Sequence, residues 1–379
     1  MRVFISAGEA SGDLHAAGVI TALKAAYPDV DICGIAGPAM RQAGCMEIAG
    51  MHELNVMGVV DVIKSLPRIH AVRKRVLDHL AGHPVDVAIL VDFPGFHINI
   101  GRRLRAMGIP VLQYIAPKLW AWGAWRAKKL RASQDRLASI LPFEPDWFTA
   151  RGIRAEYVGN PSAAACTTGW SRTEFMAQAE LDAGDTVLAI LPGSRPSELA
   201  HHVPLLAQAW SELRDRHPGL QAVLPLAPGV DTGQLAPLTG QGGVHVIDRM
   251  QNGYRLHADA AIAVSGTATL ELALWDIPTL LVYRTSPFTV FMARRVVKLE
   301  HIGLVNLLLG RTAMPELIQE QASMENIVAG VGELLAGNGK AAARQRTDFA
   351  ELRALLGRQD PAESVVRLAA ELVADKSVE

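Results

Sequence analysis

Three stretches of this chain carry residue types whose spacing can do chemistry. In Ala261-Ile-Ala-Val-Ser-Gly-Thr-Ala-Thr-Leu-Glu271 an apolar strand runs into Ser265-Gly266-Thr267 and then into a helix. Small residues between a strand and a helix make an anion site, because unpaired N–H groups and the helix dipole converge there. Gly266 lets the backbone approach closely, and the hydroxyls of Ser265 and Thr267 can donate to phosphate oxygens. Glu271, one turn in, can accept from a ribose diol. The competing reading makes Ser265 and Thr267 helix caps and Glu271 a solvated acid. A second strand, Thr186–Leu191, enters Pro192-Gly193-Ser194-Arg195 ahead of another helix. Arginine placed there either bridges phosphates and stabilises a leaving diphosphate or pairs with Glu198. The third stretch, Asp86-Val-Ala-Ile-Leu-Val-Asp92, ends in Phe93-Pro94-Gly95-Phe96. An aspartate among such neighbours is partly desolvated, which raises its pKa and suits a general base; the alternative is a loop acid capping a turn.

These stretches need a scaffold of parallel strands. With 379 residues the chain is too long for one ordinary core, so two domains are expected. A hydrophobic content of 50% and a charged content of 20% fit well-filled globular cores. A net charge of -1 argues against nucleic-acid binding by a general basic surface. Cys33, Cys45 and Cys166 lack metal-ligand spacing and read as ordinary thiols of a reducing compartment, which points to the cytoplasm. The opening strand is too short for a signal peptide, and no apolar run reaches the roughly 18 residues of a membrane span.

Strand Arg2–Ala7 leads into Gly8-Glu-Ala-Ser-Gly-Asp13 and an alanine-rich helix, a doubly wound pattern without the dinucleotide GxGxxG spacing. Further strands are expected at Asp31–Ala36, 110–115, 136–141 and 154–158. Residues 162–185 are weakly periodic and read as a linker, dividing the chain into domains 1–163 and 164–379. The second half repeats the architecture with strands at Leu220–Leu226, 244–247 and 278–283, then helices from Met324 onward. The fold class is therefore α/β, two doubly wound Rossmann-type domains facing a central cleft.

Two apolar regions stand outside that scheme. Val56, Met57, Val59, Val60, Ile63 and Leu66 precede the basic helix 68–79 and form either core or a lipid-facing patch beside anionic head groups. Trp120, Trp122 and Trp125 run into Arg126, Lys128, Lys129 and Arg131, which suits a sugar-binding wall or an interfacial anchor. The amphipathic segment 287–298 is either packed on a domain or laid on a membrane surface. Asn306 sits in an apolar loop, where a polar side chain usually has a partner.

Two doubly wound halves with two phosphate-binding elements and no Walker lysine suit a nucleotide-sugar transferase better than an NTPase. The motifs Gly8-Glu-Ala-Ser-Gly-Asp13, Val56-Met-Gly-Val59, Asp92-Phe-Pro-Gly-Phe96, Ala116-Pro-Lys-Leu-Trp-Ala-Trp122, Leu141-Pro-Phe-Glu144, Leu191-Pro-Gly-Ser-Arg195, Ser265-Gly-Thr-Ala-Thr-Leu-Glu271 and Asn306-Leu-Leu-Leu-Gly-Arg311 together resemble the lipid-A-disaccharide synthases. The matches keep that family's order and span nearly the whole chain. The resemblance implies an inverting GT-B glycosyltransferase that needs neither cofactor nor metal and works peripherally on the cytoplasmic face of a Gram-negative inner membrane. It implies transfer of 2,3-diacylglucosamine from UDP-2,3-diacylglucosamine to the 6-hydroxyl of 2,3-diacylglucosamine 1-phosphate (lipid X), giving a β-1,6 disaccharide 1-phosphate and UDP.

Carried onto this chain, the resemblance makes Asp92 the base and Arg195 and Asn306 its active-site companions. Ser11, Gly12, Gly193, Ser194, Arg195, Ser265, Gly266, Thr267 and Glu271 are the expected UDP-binding residues. A homodimer with exchanged C-terminal portions is also implied. Three positions depart from the pattern: Asn160 where histidine is common, His97 where asparagine usually follows the Phe, and Val305 where proline usually precedes Asn306. Two rivals remain, another GT-B enzyme acting on UDP-N-acetylglucosamine (a 2-epimerase or undecaprenyl-acceptor transferase) and a non-catalytic binder of lipid or UDP.

Overall fold

The computed structural model describes residues 1–54, 59–227, 229–249, 251, 253–286, 290, 300–336 and 339–378, excepting the side chains of 59–65 and 377–378. The chain forms two compact units, Met1–Ala164 with Arg358–Glu379, and Ala165–Gly357. Each is an all-parallel sheet clothed by helices on both faces, the GT-B pair of Rossmann-like folds.

The first unit holds seven strands: β1 (Arg2–Ala7), β2 (Asp31–Ala36), β3 (Met46–Gly50), β4 (Val87–Val91), β5 (Val111–Tyr114), β6 (Arg136–Ser139) and β7 (Ala155–Tyr157). Their order is β3-β2-β1-β4-β5-β6-β7. Strand β4, Val-Ala-Ile-Leu-Val, is buried throughout, as a central parallel strand must be when helices cover both faces. Its side chains alternate: Val87, Ile89 and Val91 join the core beneath helix Ala10–Ala26, while Ala88 and Leu90 join the core beneath helix Pro94–Ala106.

The second unit holds β8 (Thr186–Leu191), β9 (Leu220–Leu226), β10 (Val244–Asp248), β11 (Ala260–Val264), β12 (Thr279–Tyr283) and β13 (Glu316–Ile318), ordered β10-β9-β8-β11-β12-β13. Helix Pro196–Arg216, with Leu199, Leu206 and Trp210, covers one face. Helix Thr267–Leu274, through Leu272, contributes to the other.

The structure departs from the sequence-based expectation at the closing helix and at the basic helix, besides adding the edge strand β3. The second domain was expected to run to 379, but helix Pro361–Val378 belongs to the first unit. Its Val365, Leu368 and Ala369 share a core with Ala16, Val19 and Ile20, and Arg136 and Glu156 pair with Glu371 and Arg367 at its edge. The basic helix begins at Val59 rather than Arg68 and continues through Pro67 to Gly82, although an internal proline removes one backbone hydrogen bond. Among the described residues no helix is long and apolar enough to cross a membrane.

Candidate active site

In an open α/β sheet, ligands bind beyond the carboxyl ends of strands where neighbouring crossovers leave on opposite faces. In the first unit that point lies between β1 and β4, since their following helices cover opposite faces. Asp92 stands there, immediately after β4. Asp92 and Phe93 both take left-handed backbone conformations, φ 51° and 48°, which cost roughly 1–2 kcal/mol per residue for L-amino acids. Such strain persists only where surrounding contacts impose it. Here Asp92 N–H donates to the Tyr114 carbonyl at 2.8 Å, and the Asp92 carbonyl accepts from His97 Nδ1 at 2.6 Å and Gln113 Nε2 at 3.2 Å. Gly8 lies so close to the Phe93 ring that a Cβ on it would stand 2.3 Å from the ring carbons, so only glycine fits. Burial pushes the Asp92 pKa up, the nearby Glu9 carboxylate pushes it further, and a Phe93 backbone hydrogen bond and Lys118 pull it back. The result is a carboxylate with enhanced basicity.

Lys118 also faces Glu144, a carboxyl 1% exposed at the first turn after β6. Glu144 accepts from Trp120 Nε1 at 3.0 Å and from Leu141 N–H at 3.3 Å, and burial raises its pKa to about 7. Trp120 meets Phe143 edge-on at 4.9 Å between ring centroids, while Trp122 and Trp125 of the same loop are 51% and 72% exposed.

The second unit has its switch point between β8 and β11. Both motifs expected to bind UDP lie there. After β8, Gly193 has φ 104° and a Cβ on it would stand 2.7 Å from Glu198 Cβ. The Glu198 carboxylate accepts from the Ser194 and Arg195 N–H groups at 3.1 and 3.3 Å, and Arg195 Nη1 donates to it at 3.3 Å. The arginine side chain is 79% exposed. Of the two sequence readings for Arg195, the structure displays the pairing with Glu198. After β11, Gly266 and Thr267 are exposed. Ser265 Oγ donates to the Ile302 carbonyl at 3.0 Å, so its hydroxyl proton is engaged within the protein. The buried Thr269, one turn into the helix, donates its hydroxyl to the Gly266 carbonyl at 2.7 Å. Glu271 is ion-paired with Arg249, which lies immediately beyond β10; burial raises the Glu271 pKa and Arg249 opposes the rise. Arg249 and Tyr254 line an open cavity of about 570 Å³ with Thr168, Gly169, Gln251 and Gly253.

Residues 3–369 match the family model described as Lipid-A-disaccharide synthetase. The lipid-A-disaccharide synthase of Trichlorobacter lovleyi is 40% identical over 337 residues, 88% of each chain, and that of Geobacter sulfurreducens 35% identical over 375 residues, 98% of this chain and 97% of its own. The chain belongs to the lipid-A-disaccharide synthase family. It is thus a glycosyltransferase. The solved UDP-GlcNAc 2-epimerase of Neisseria meningitidis, bound to UDP-GlcNAc, superposes with a TM-score of 0.67 at 13% identity, covering 98% of this chain and all of that one (100%). At that identity the likeness is one of fold.

Within this synthase-family chain the expected site residues fall into two groups. Asp92, Ser11 and Gly12 stand in the first unit; Gly193, Ser194, Arg195, Ser265, Gly266, Thr267, Glu271 and Asn306 stand in the second. Ser11 and Gly12 belong to the first turn of helix Ala10–Ala26, and Gly12 is buried near Ala7 and Val91. Asp13 of the same motif is structural: its carboxylate accepts from the N–H groups of Gly37, Ala39 and Met40 at 2.9–3.1 Å. Asn306 departs from a directly catalytic placement. Its Nδ2 donates to the Met314 carbonyl and to Glu316 at 2.7 Å each, and its Oδ1 accepts from Ala313 and Met314 N–H at 2.8 Å each. Both amide protons and both lone pairs are therefore engaged within the unit, and the residue acts by holding its loop.

Glu316 extends that network to Ile302 and Gly303 N–H at 3.0 and 2.9 Å, and so to the loop whose carbonyl receives Ser265. Asn160 accepts from Ser162 and Ala163 N–H and donates to the Ile140 carbonyl, capping the short helix Pro161–Ala165. Of the expected lipid patch, Val56 and Met57 lie outside the described residues, as do the side chains of Val59, Val60 and Ile63; Leu66 is 54% exposed. Segment 287–298 also lies outside them apart from Val290. Sequence reasoning missed Arg249, Glu316 and Ser6. Arg249 alone carried a usable signal, its position just past a strand's carboxyl end.

Proposed function

We propose that this chain carries out the transfer characteristic of its family, with Asp92 as general base. Asp92 takes the proton from the 6-hydroxyl of 2,3-diacylglucosamine 1-phosphate as that oxygen attacks the anomeric carbon of UDP-2,3-diacylglucosamine. The bond from that carbon to the UDP oxygen breaks, and the configuration inverts. The single observation that carries this reading is the strained, partly desolvated Asp92 at the β1/β4 switch point. On the donor side, Arg195 and the N–H groups around Ser194 and Gly266–Thr267 take the diphosphate and stabilise the charge on leaving UDP. Glu271, oriented by Arg249, receives the ribose hydroxyls. Ser11 and Gly12, in the first turn of helix Ala10–Ala26, are carried over as UDP-binding residues from the family resemblance.

The acyl chains and a peripheral contact with the cytoplasmic membrane face are assigned to the region around residues 56–66, which Leu66 extends as an exposed apolar side chain. A homodimer formed by exchange of the C-terminal helix would use the same Arg136–Glu371 and Arg367–Glu156 pairs between copies. Light scattering of the purified protein checks that assembly. The deciding experiment incubates the protein with both lipid substrates in the presence of a chelator and looks for the disaccharide by mass spectrometry. Product under those conditions supports a metal-independent synthase, whereas bound UDP without product transfers the assignment to a different acceptor or a binding protein.

A further inference from the structure

The buried polar group behind Asp92 has no part in the transfer as described above. Ser6, the penultimate residue of β1, and His97, on the first turn of helix Pro94–Ala106, are both 0% exposed. Their side chains meet at 2.9 Å between Ser6 Oγ and His97 Nε2, while His97 Nδ1 lies 2.6 Å from the Asp92 carbonyl. A carbonyl only accepts, so Nδ1 carries the proton and Nε2 receives the Ser6 hydroxyl hydrogen. One tautomer of a neutral ring satisfies both contacts. Phe93 and Phe96 flank the ring at 5.9 Å, each near edge-on, which fixes its plane. The His97 backbone N–H also donates to the Phe93 carbonyl at 3.1 Å, so this residue grips both members of the left-handed turn. The Nδ1 partner is the main chain and not the Asp92 carboxylate, so the ring relays no proton to the base.

We infer that Ser6 and His97 are positioning residues for the transfer: the hydroxyl orients the imidazole, and the imidazole holds the Asp92 turn in the conformation that presents its carboxylate. This rests on Asp92 as the base. An asparagine side chain also offers an amide donor and could make the same contact with the Asp92 carbonyl.

The test is a kinetic double-mutant cycle on the full chain, with melting temperatures recorded for every variant. His97→Leu fills the space without a donor and lowers kcat ~10²-fold with both KM values within about threefold, the cost of a misplaced catalytic group. His97→Asn, which restores a donor, recovers most of that loss. In an Asp92→Asn background His97→Leu costs no more than about threefold further, because residues acting as one unit are non-additive. Ser6→Ala, which leaves the ring in place, lowers kcat about tenfold and provides the test if the leucine variant does not fold. An unchanged kcat in His97→Leu, an effect confined to KM, or the same loss with and without Asp92 overturns the inference. Turnover kept by Asp92→Asn alone overturns the base assignment instead, whatever His97 does.

Discussion

The two switch-point sites occupy equivalent places in their sheets yet are built from opposite materials. Beyond β4, Asp92 is held by neutral hydrogen bonds from the buried His97 and Gln113 and by a left-handed turn that glycine does not relieve. Beyond β8 and β11, the loops are held by charges, Glu198 with Arg195 and Glu271 with Arg249, and Gly193 takes the tight left-handed position in the first of them. A base gains from desolvation and a fixed direction, because both its pKa and its aim depend on them. A diphosphate site needs exposed N–H groups and a cation that can exchange one anionic partner for another. Under the proposed assignment the contrast divides the labour: geometry is locked on the acceptor side, while charge is kept exchangeable on the donor side.

The largest expected effect tests the locked half. Asp92→Asn should lower kcat by roughly 10²- to 10⁴-fold, the usual contribution of a general base, with little change in donor KM. Retention of most turnover in a folded variant would remove the assignment. On the exchangeable half, Arg195→Ala should cost roughly 10²–10³ in kcat, as loss of a group facing developing charge does. Its unfolding midpoint should stay put, since the side chain is 79% exposed and exposed ion pairs add little stability. A destabilised Arg195→Ala would show that this loop is locked too, and the contrast would fail.

Much of this arrangement was legible in the sequence. Strands Arg2–Ala7, Asp31–Ala36, Thr186–Leu191 and Leu220–Leu226 fall where their apolar runs predict, because a strand covered on both faces must be continuously apolar. Strand β3 escaped notice: an edge strand tolerates polar residues, and Met46 is 51% exposed. Strand β13 is only three residues, none fully buried. Asp92, Arg195 and Ser265 could be placed by a rule of position, since each follows a strand. Their supports could not. Ser6 and His97 are 91 residues apart, and nothing in either local pattern announces the other. The closing helix had a readable apolar face but no sequence signal for which unit it covers.

Titration sharpens the locked half further. Glu144 has a pKa raised by burial from the usual 4.5 to about 7, so the fold binds a proton that the unfolded chain releases. Its contribution to stability is complete below pH 4.5 and lost as pH rises toward 7. His97 runs the other way, its pKa lowered from 6.5 to about 4, so its contribution is present above 6.5 and lost as pH falls toward 4. The two slopes oppose each other across their shared window. Glu144→Gln should therefore unmask a stability that rises with pH, its advantage over the parent growing by on the order of 3 kcal/mol between pH 4 and 8. Urea unfolding across that range, followed by tryptophan fluorescence, checks it. A constant offset at every pH would mean that Glu144 titrates in the folded chain as it does in the unfolded one.

The smallest effect concerns how exchangeable the donor side is. Glu198 places a carboxylate on the Ser194 and Arg195 N–H groups, the place proposed for the donor diphosphate. A carboxylate at a helix start is worth roughly 0.3–1 kcal/mol, which as competition amounts to about a two- to fivefold change in affinity. Glu198→Gln removes the negative charge while keeping an oxygen that accepts from the same groups. If Glu198 is a stand-in that the diphosphate displaces, donor KM falls by that factor and UDP binds more tightly as product, so release slows. If instead the carboxylate shapes the turn around Gly193, the same substitution raises donor KM. The direction of one modest shift, read together with UDP affinity by calorimetry, thus decides whether the donor loop is held ready by its own acid or merely folded by it.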